Sequence, residues 1–373
     1  MTIRAFLVIG TRPEAIKMAP VIQACEQDDR IETIVCLTGQ HRELVEHVTN
    51  YFNIKPDINL DLMVKDQTLA GLTSRCIAQL DEAMEQSKPD CVVAQGDTTT
   101  VMAAALVAFY RGIDFVHVEA GLRSGDLQSP WPEELNRRIA TLATSLHCAP
   151  TERARDNLLG EHVPEEKIRV TGNTVVDALL LTRDQEKKNS PHWKQKYDWL
   201  EDQRMVLVTG HRRENLGEGL KQICAAIREL AEKFESVAFV YPVHLNPRVR
   251  NTVFAEIDGL DNVHLIEPVS YPEFVWLMDR STLIVSDSGG IQEEAPSLGK
   301  PVLVTRDNTE RPEGVEAGAV ELVGTNASNI VARVSALLED ESEYARHQFE
   351  TNPYGDGKAA QRIVDGIAMM KTL

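Results

Sequence analysis

Short β-branched apolar runs alternate with amphipathic stretches from one end of this 373-residue chain to the other, the pattern of parallel strands joined by helices. In the first half, strands are expected over 5–9, 33–37, 91–95 and 115–118, with helices between them over about 13–26, 69–87 and 98–111. The second half begins the pattern again, with strands at 205–209, 237–241, 263–266, 283–286 and 301–304. The chain is too long for one ordinary core, so two doubly wound α/β units fit better than one large sheet. The boundary is expected at 170–174, before a helical stretch and the polar, Trp-containing segment 182–203. Residues 1–170 then form the first domain and 171–356 the second. By fold analogy the final helix, and with it 357–373, returns to the first.

In open parallel sheets, ligands bind beyond the carboxyl ends of the strands, and the polar motifs of this chain fall there. Gly10-Thr11-Arg12 follows the first strand, Gly96-Asp97 a central one, Glu119-Ala120-Gly121 the next, Gly210-His211-Arg212 the first strand of the second unit, and Asp287-Ser288-Gly289-Gly290 a later one. The run SDSGG at 286–290 leads straight into a helix. Backbone N–H groups at a glycine-containing helix start make a phosphate seat, although an ordinary strand-to-helix turn explains the glycines equally well. Glu294, one turn further on, could reach ribose hydroxyls or simply face water. Arg12 and Lys17 suit a diphosphate, with a surface i,i+4 charge pattern as the cheaper account of Lys17. A lone His is more often structural, but His211, flanked by Arg212 and Arg213 after a buried-looking strand, favours a functional reading over that one.

Asp97, Glu119 and Glu133 lie in short segments rich in Gly, Pro and Ser, where the wet face of a helix does not explain a carboxylate. Asp97 could cap the following helix, and Glu133 could serve a helix dipole. Glu119, at a strand end between Val118 and Ala120, is costly to bury unless paired or functional. Composition narrows what such a group could act on. With 57 acidic against 39 basic residues, a formal charge of -18 repels nucleic acid and anionic membrane, and any anionic ligand needs a local cationic pocket. The six cysteines show no CxxC pairing, and most sit in apolar runs, as reduced core thiols do. The apolar run at 3–9 is too short for a signal peptide or membrane span, so a cytoplasmic protein is expected. No metal-binding spacing, P-loop or GxGxxG is present.

Taken in chain order, GTRPEAIKMAP, GQHRE, GDTTT, HVEAGLRSGD, SPWPEE, TGNTVVDAL, TGHRREN, YPVHLNP, SDSGGIQEEAPSLGKPVLV and NPYGDG resemble the motifs of the non-hydrolysing UDP-N-acetylglucosamine 2-epimerases. The resemblance spans nearly the whole chain. It looks closest to the bacterial enzymes that supply UDP-N-acetylmannosamine for enterobacterial common antigen and other surface polysaccharides. It implies two Rossmann-like domains in a glycosyltransferase-B arrangement with the active site in an interdomain cleft, a homodimer, a UDP-sugar substrate and no cofactor. The implied reaction is reversible: UDP is eliminated across C1 and C2 to leave a bound 2-acetamidoglucal, then added back after a proton reaches C2 from the opposite face. Two acid/base groups are needed for this, one of them protonated at the start.

Asp97, Glu119 and Glu133 match the family's catalytic carboxylates and His211 its catalytic histidine. Asp97 and Glu133 are expected as the acid/base pair, Glu119 as their orienting partner, and His211 as the group facing the departing phosphate. Arg12, Lys17, Ser288, Gly289, Gly290, Glu294 and Arg311 match UDP-binding positions, with Phe274 near the uracil and Arg212 and His244 as additional candidates. Two alternatives stay open, a 2-epimerase of a related UDP-sugar of the diacetamido uronic acid type and a transferase of the same architecture. One departure stands out. Substrate-activated members carry segments resembling QHRQM and RQTL, where this chain has Glu43 and Asp66, which puts activation by a second substrate molecule in doubt.

Overall fold

The computed structural model describes residues 2–39, 42–64, 67–200, 203–210, 212–347 and 352–370. It divides into two compact units, Met1–Ala178 with Gly355–Leu373, and Leu179–Tyr354. The division falls inside the helix Thr174–Lys188, not ahead of it at 170. The first turn of that helix stays with the first unit because it is buried there: Val175, Val176 and Ala178 are at most 5% exposed, and the Asp177 carboxylate accepts the Ala360 N–H at 2.9 Å.

The first unit is built on seven strands, β1 (Ile3–Ile9), β2 (Ile31–Leu37), β3 (Ile58–Asn59), β4 (Cys91–Gln95), β5 (Asp114–Val118), β6 (Leu146–Ala149) and β7 (Ile168–Val170). Their order is β3-β2-β1-β4-β5-β6-β7, every pair parallel. Helices cover both faces, so the strands are continuously apolar; all five residues of β4 are buried. Phe6, Val92 and Phe115 lie in a core shared with Leu80 and Met84 of the helix Leu69–Ser87, each worth roughly 1.5–3 kcal/mol of burial. The C-terminal helix Ala359–Met369 packs on the helix Arg12–Glu26 and on β6. Close approach is what Gly366 provides, since a Cβ there would stand 2.9 Å from Leu146 Cδ2.

The second unit repeats the plan with six strands, β8 (Arg204–Thr209), β9 (Val237–Pro242), β10 (Val263–Ile266), β11 (Leu283–Ser286), β12 (Val302–Val304) and β13 (Val320–Leu322). They run β10-β9-β8-β11-β12-β13, again all parallel. The Trp-containing segment forms the helix Ser190–Lys196 and a short turn of helix, Asp198–Leu200. It packs on the helix Tyr271–Arg280, where Tyr197 stacks on Trp276 at 5.6 Å between ring centres and 15° between planes.

Both sheets reverse strand order between their first strand and a later neighbour, β1 beside β4 and β8 beside β11, the crevice where ligands of such sheets bind. β3, β6, β7 and β13 escaped the apolar pattern because they are two to four residues long and carry Asn59, His147, Arg169 and Glu321 among their few positions.

Candidate active site

In the first unit, three strand ends are tied together by side chains. Thr11 caps the helix Arg12–Glu26, and Glu14 reaches back to accept the N–H groups of Gly10 and Thr11 at 2.7 and 2.6 Å. Its other oxygen accepts the Thr98 hydroxyl at 2.5 Å, so one buried carboxylate joins the loop after β1 to the loop after β4. Burial raises the Glu14 pKa, opposed by these hydrogen bonds from Thr98, Gly10 and Thr11.

Lys17, one turn along the helix, donates to Glu119 Oε2 at 2.6 Å. The Gln95 amide donates to the same oxygen, also at 2.6 Å. Lys17 therefore belongs to the interior, its side chain 14% exposed, and is not part of a surface charge pattern. Glu119 itself adopts φ 63°, a left-handed backbone that a non-glycine residue takes only at a cost of about 1–3 kcal/mol.

Asp97 does not cap its helix. Thr98 does so, its hydroxyl accepting the Val101 N–H at 3.4 Å, and this leaves the Asp97 carboxylate facing Arg137 at 2.9 Å. The Asp97 carbonyl accepts the Asn136 amide at 2.9 Å. Both partners come from the helix Glu133–Ala143, whose first residue is Glu133. Glu133 is half-buried and makes no hydrogen bond or ion pair among the described residues, whereas the next residue, Glu134, is fully buried and accepts from Ser124, Arg137 and Arg138. Arg137 thus grips Asp97 and Glu134 together. Arg12 is half-buried and makes no hydrogen bond or ion pair to the described residues.

Beneath this group, His117 Nε2–H donates to the Gly96 carbonyl at 2.7 Å. The ring is wholly buried, and desolvation pulls its pKa down to about 4, against the hydrogen bond to Gly96 that favours charge. His147, opposite His117 on β6, is likewise pulled down by burial, to about 3.

The second unit gathers its own set around the start of the helix Gly289–Glu294. Ser288 caps it in extended conformation, its N–H held by Ser286 Oγ at 3.0 Å. Arg311 lies so close over this helix start that a Cβ on Gly289 would meet its Nη1 at 2.5 Å and Cζ at 2.7 Å; only glycine permits the guanidinium there. Glu294 is not solvent-facing. It is 7% exposed and its Oε1 accepts the Tyr271 hydroxyl at 3.0 Å. The fully buried Asp287 accepts the Arg212 N–H at 2.9 Å and the Asn215 amide at 3.2 Å, pinning the loop after β8 to the loop after β11.

His211 lies outside the described residues. Phe274, half-buried, sits on the helix that carries Tyr271. His244 is exposed, its Nδ1 accepting the Asn246 N–H at 3.0 Å near the start of the helix Pro247–Ile257. In the segments that depart from the substrate-activated pattern, Gln40, His41 and Asp66 lie outside the described residues. Gln67 is engaged with Arg75 and Met63, and Thr68 caps the helix Leu69–Ser87. Among the described residues, no three of His, Cys, Asp and Glu converge as a metal-ligand set.

Several residues that build these groups had no separate claim in the sequence: Glu14, Gln95, Arg137, Tyr271 and Glu293, which accepts from Arg311 Nε at 2.7 Å. Glu14 was findable, because Thr11-Arg12-Pro13-Glu14 has the spacing of a capping box. The others act across long sequence separations and leave no local mark.

The family model described as UDP-N-acetylglucosamine 2-epimerase matches residues 23–368. The chain belongs to that family. A UDP-N-acetylglucosamine 2-epimerase of Yersinia pestis is 52% identical over 369 residues, 98% of each chain. The Escherichia coli K12 protein of the same name is 50% identical over 368 residues, again 98% of each. Among solved structures, the Neisseria meningitidis 2-epimerase bound to UDP-N-acetylglucosamine superposes with a TM-score of 0.90 at 48% identity, covering 98% of this chain and 99% of that one. The Methanocaldococcus jannaschii 2-epimerase in complex with UDP-N-acetylglucosamine and UDP gives 0.80 at 37% identity, covering 98% and 99%. Two parallel-sheet α/β domains are thus a property of the family as well as of this chain.

His117 gives the first unit's group a pH signature. A histidine in the unfolded chain titrates near 6.5, whereas the folded ring stays neutral down to about 4. Below pH ~6.5 the unfolded state binds the extra proton, so stability is fully present above that pH and falls as pH drops toward 4, by about 3 kcal/mol in all. His147 contributes with the same sign. The urea midpoint should fall between pH 6.5 and 4.5, and His117→Gln, which keeps an N–H for Gly96, should flatten part of that slope. An unchanged slope in the variant would remove His117 as its source.

Proposed function

We infer that this chain catalyses the reversible C2 epimerisation of UDP-N-acetylglucosamine to UDP-N-acetylmannosamine, eliminating UDP to a bound 2-acetamidoglucal and adding it back. The observation that carries this reading is the side-chain network that holds Asp97 and Glu119 at the carboxyl ends of adjacent strands β4 and β5, with Glu133 at the start of the helix that grips Asp97, in a chain of this family. The C2 proton of the sugar is not acidic, so it leaves as the C1–O bond breaks: the proton goes to a carboxylate, the C1–O electron pair leaves with UDP, and C1=C2 forms. Return requires a proton delivered to the other face of C2 and attack of the UDP oxygen on C1. The reaction needs no net redox change and no co-reactant.

Asp97 and Glu133 carry the proton on the two faces. Glu119 is committed through one oxygen to both Lys17 and Gln95, which suits an orienting carboxylate better than a proton carrier. In the second unit, the N–H groups at Gly289 and Gly290 with Arg311 meet the diphosphate, and Glu294, backed by Tyr271, meets the ribose. Arg12 and Lys17, with Arg212 and His211, supply the remaining positive charge around the departing phosphate, and Phe274 lies toward the uracil.

A second copy of the chain is the partner this reading expects. On the helices Thr99–Arg111 and Glu133–Ala143, which pack side by side, Phe109, Tyr110 and Leu142 are 63%, 72% and 86% exposed, an apolar face that a homodimer would cover. Among the described residues no helix is long and apolar enough to cross a membrane, and all six cysteines are buried, as suits a reducing cytoplasm.

Incubation with UDP-N-acetylglucosamine in D₂O, followed by NMR, should give UDP-N-acetylmannosamine and deuterium at C2; absence of both overturns the reading. Asp97→Asn and Glu133→Gln should each lower turnover at least ~10²-fold while calorimetry still finds UDP bound, and near-normal turnover removes that residue from the pair. Sedimentation should find twice the 41.6 kDa chain mass, reduced to the monomer by Tyr110→Lys with Leu142→Glu. A monomeric parent protein would discard the dimer.

A further inference from the structure

Three guanidinium groups of the second unit converge on one carboxylate. Glu310 Oε1 accepts from Arg212 Nη2 at 2.9 Å and from Arg311 Nη1 at 2.8 Å, and its Oε2 accepts from Arg306 Nη1 at 2.8 Å. A structural clamp would be the ordinary account, but each arginine has a second anchor. Arg311 Nε donates to Glu293 at 2.7 Å, Arg306 Nε forms an ion pair with Glu214 at 2.7 Å, and the Arg212 backbone is pinned by Asp287. The two carboxylates on Arg311 also differ in freedom. The Glu293 side chain is 3% exposed, whereas that of Glu310 is 45% exposed and borders water into which it can turn.

We propose that Glu310 is an internal competitor for the substrate's diphosphate, holding the guanidinium groups that the diphosphate takes over and giving way to it on binding. This deepens the UDP assignment of Arg311 and rests on that assignment. The Nη1 that Glu310 occupies is the atom set against Gly289 at the helix start, so carboxylate and phosphate claim one donor. Burial alone would raise the Glu310 pKa, but the charges of Arg311 and Arg212 and the Arg306 hydrogen bond outweigh it and hold it near about 2. The competing charge is therefore present throughout the working pH range. In a chain of charge -18, this resident anion together with Glu293 and Glu214 balances the three clustered arginines and lets UDP leave without stripping them bare.

The test is calorimetry of UDP and of inorganic pyrophosphate on the full-length protein and its variants. Glu310→Gln keeps an acceptor for one arginine and removes the charge. It should bind both probes roughly 3- to 5-fold more tightly, the scale of a partly exposed ion pair, with the gain shrinking at high salt and with a lower KM for the UDP-sugar. Glu310→Ala should move the same way. Glu293→Gln, which loosens the fixed anchor, should weaken both probes. Unchanged or weaker binding in both Glu310 variants overturns the proposal. Arg311→Gln separates it from the reading beneath it. If that variant loses at least ~10-fold in UDP affinity while the Glu310 variants are unchanged, the competitor idea alone fails, and if Arg311→Gln binds UDP normally, the UDP assignment fails first.

Discussion

Two donors on one oxygen of Glu119 hold the first unit's chemistry in place. Glu119 stands at the end of β5 with φ 63°, and a residue in that conformation persists only where its surroundings over-determine it. Lys17 comes from the helix after β1 and Gln95 from the end of β4, so the pair fastens the carboxyl ends of three neighbouring strands to one point. Breaking a buried ion pair costs several kcal/mol, more than the about 1–3 kcal/mol of the backbone strain, so the contact outweighs the strain of the turn. The loops that carry Asp97 and Glu119 are thereby fixed to a rigid sheet and not to each other alone, as the proposed chemistry on opposite faces of one carbon requires.

The second unit solves a different problem. An acidic chain has to attract a doubly charged diphosphate, and its overall field opposes that. Screening limits the opposition to about a Debye length, ~8 Å at physiological salt, so the decision is made locally. Here Arg212, Arg306 and Arg311 are gathered by Glu214, Glu293 and Glu310, and the backbone of a helix start lies directly beneath Arg311. Carboxylates in such a cluster cost attraction but supply position, and the split between the buried Glu293 and the half-exposed Glu310 divides those two effects between separate residues.

Much of this was visible in the sequence for a simple reason. Strands buried on both faces are unbroken apolar runs, so β1, β4, β5, β8, β9, β10 and β11 announced themselves, and the glycine-rich ends of several of them marked where ligand groups would stand. β6 and β7 did not: LHCA offers only Leu146 as a large aliphatic residue and IRV is three residues long with Arg169 at its centre, whereas the equally His-containing VHLI of β10 keeps three aliphatic positions out of four. Within the site, residue type was legible and partnership was not. Lys17 looked like a surface charge because nothing within its own helix reveals Glu119, 102 residues away. Asp97 reads as a cap because aspartate is favoured at N-caps over the neighbouring threonine, yet Thr98 takes the role. Glu310, beside Arg311 and four residues after Arg306, has the spacing of a solvated charge pair, and only the fold brings Arg212 onto it.

The helix Glu133–Ala143 shows how a single element can serve several of these demands. Its first residue, Glu133, remains without a partner among the described residues, while its second, Glu134, is buried under Ser124, Arg137 and Arg138. Arg137, one turn on, returns to Asp97. The spacing of these roles follows from 3.6 residues per turn: Glu134 and Arg137 share a face, so the guanidinium that steadies Asp97 is itself steadied by the residue next to Glu133. Asp97 and Glu133 are thus placed by one rigid helix, although they come from different segments. In the proposed roles, Glu133 combines free oxygens with a backbone fixed by its helix, and Asp97 keeps one oxygen on Arg137 and leaves the other for the proton.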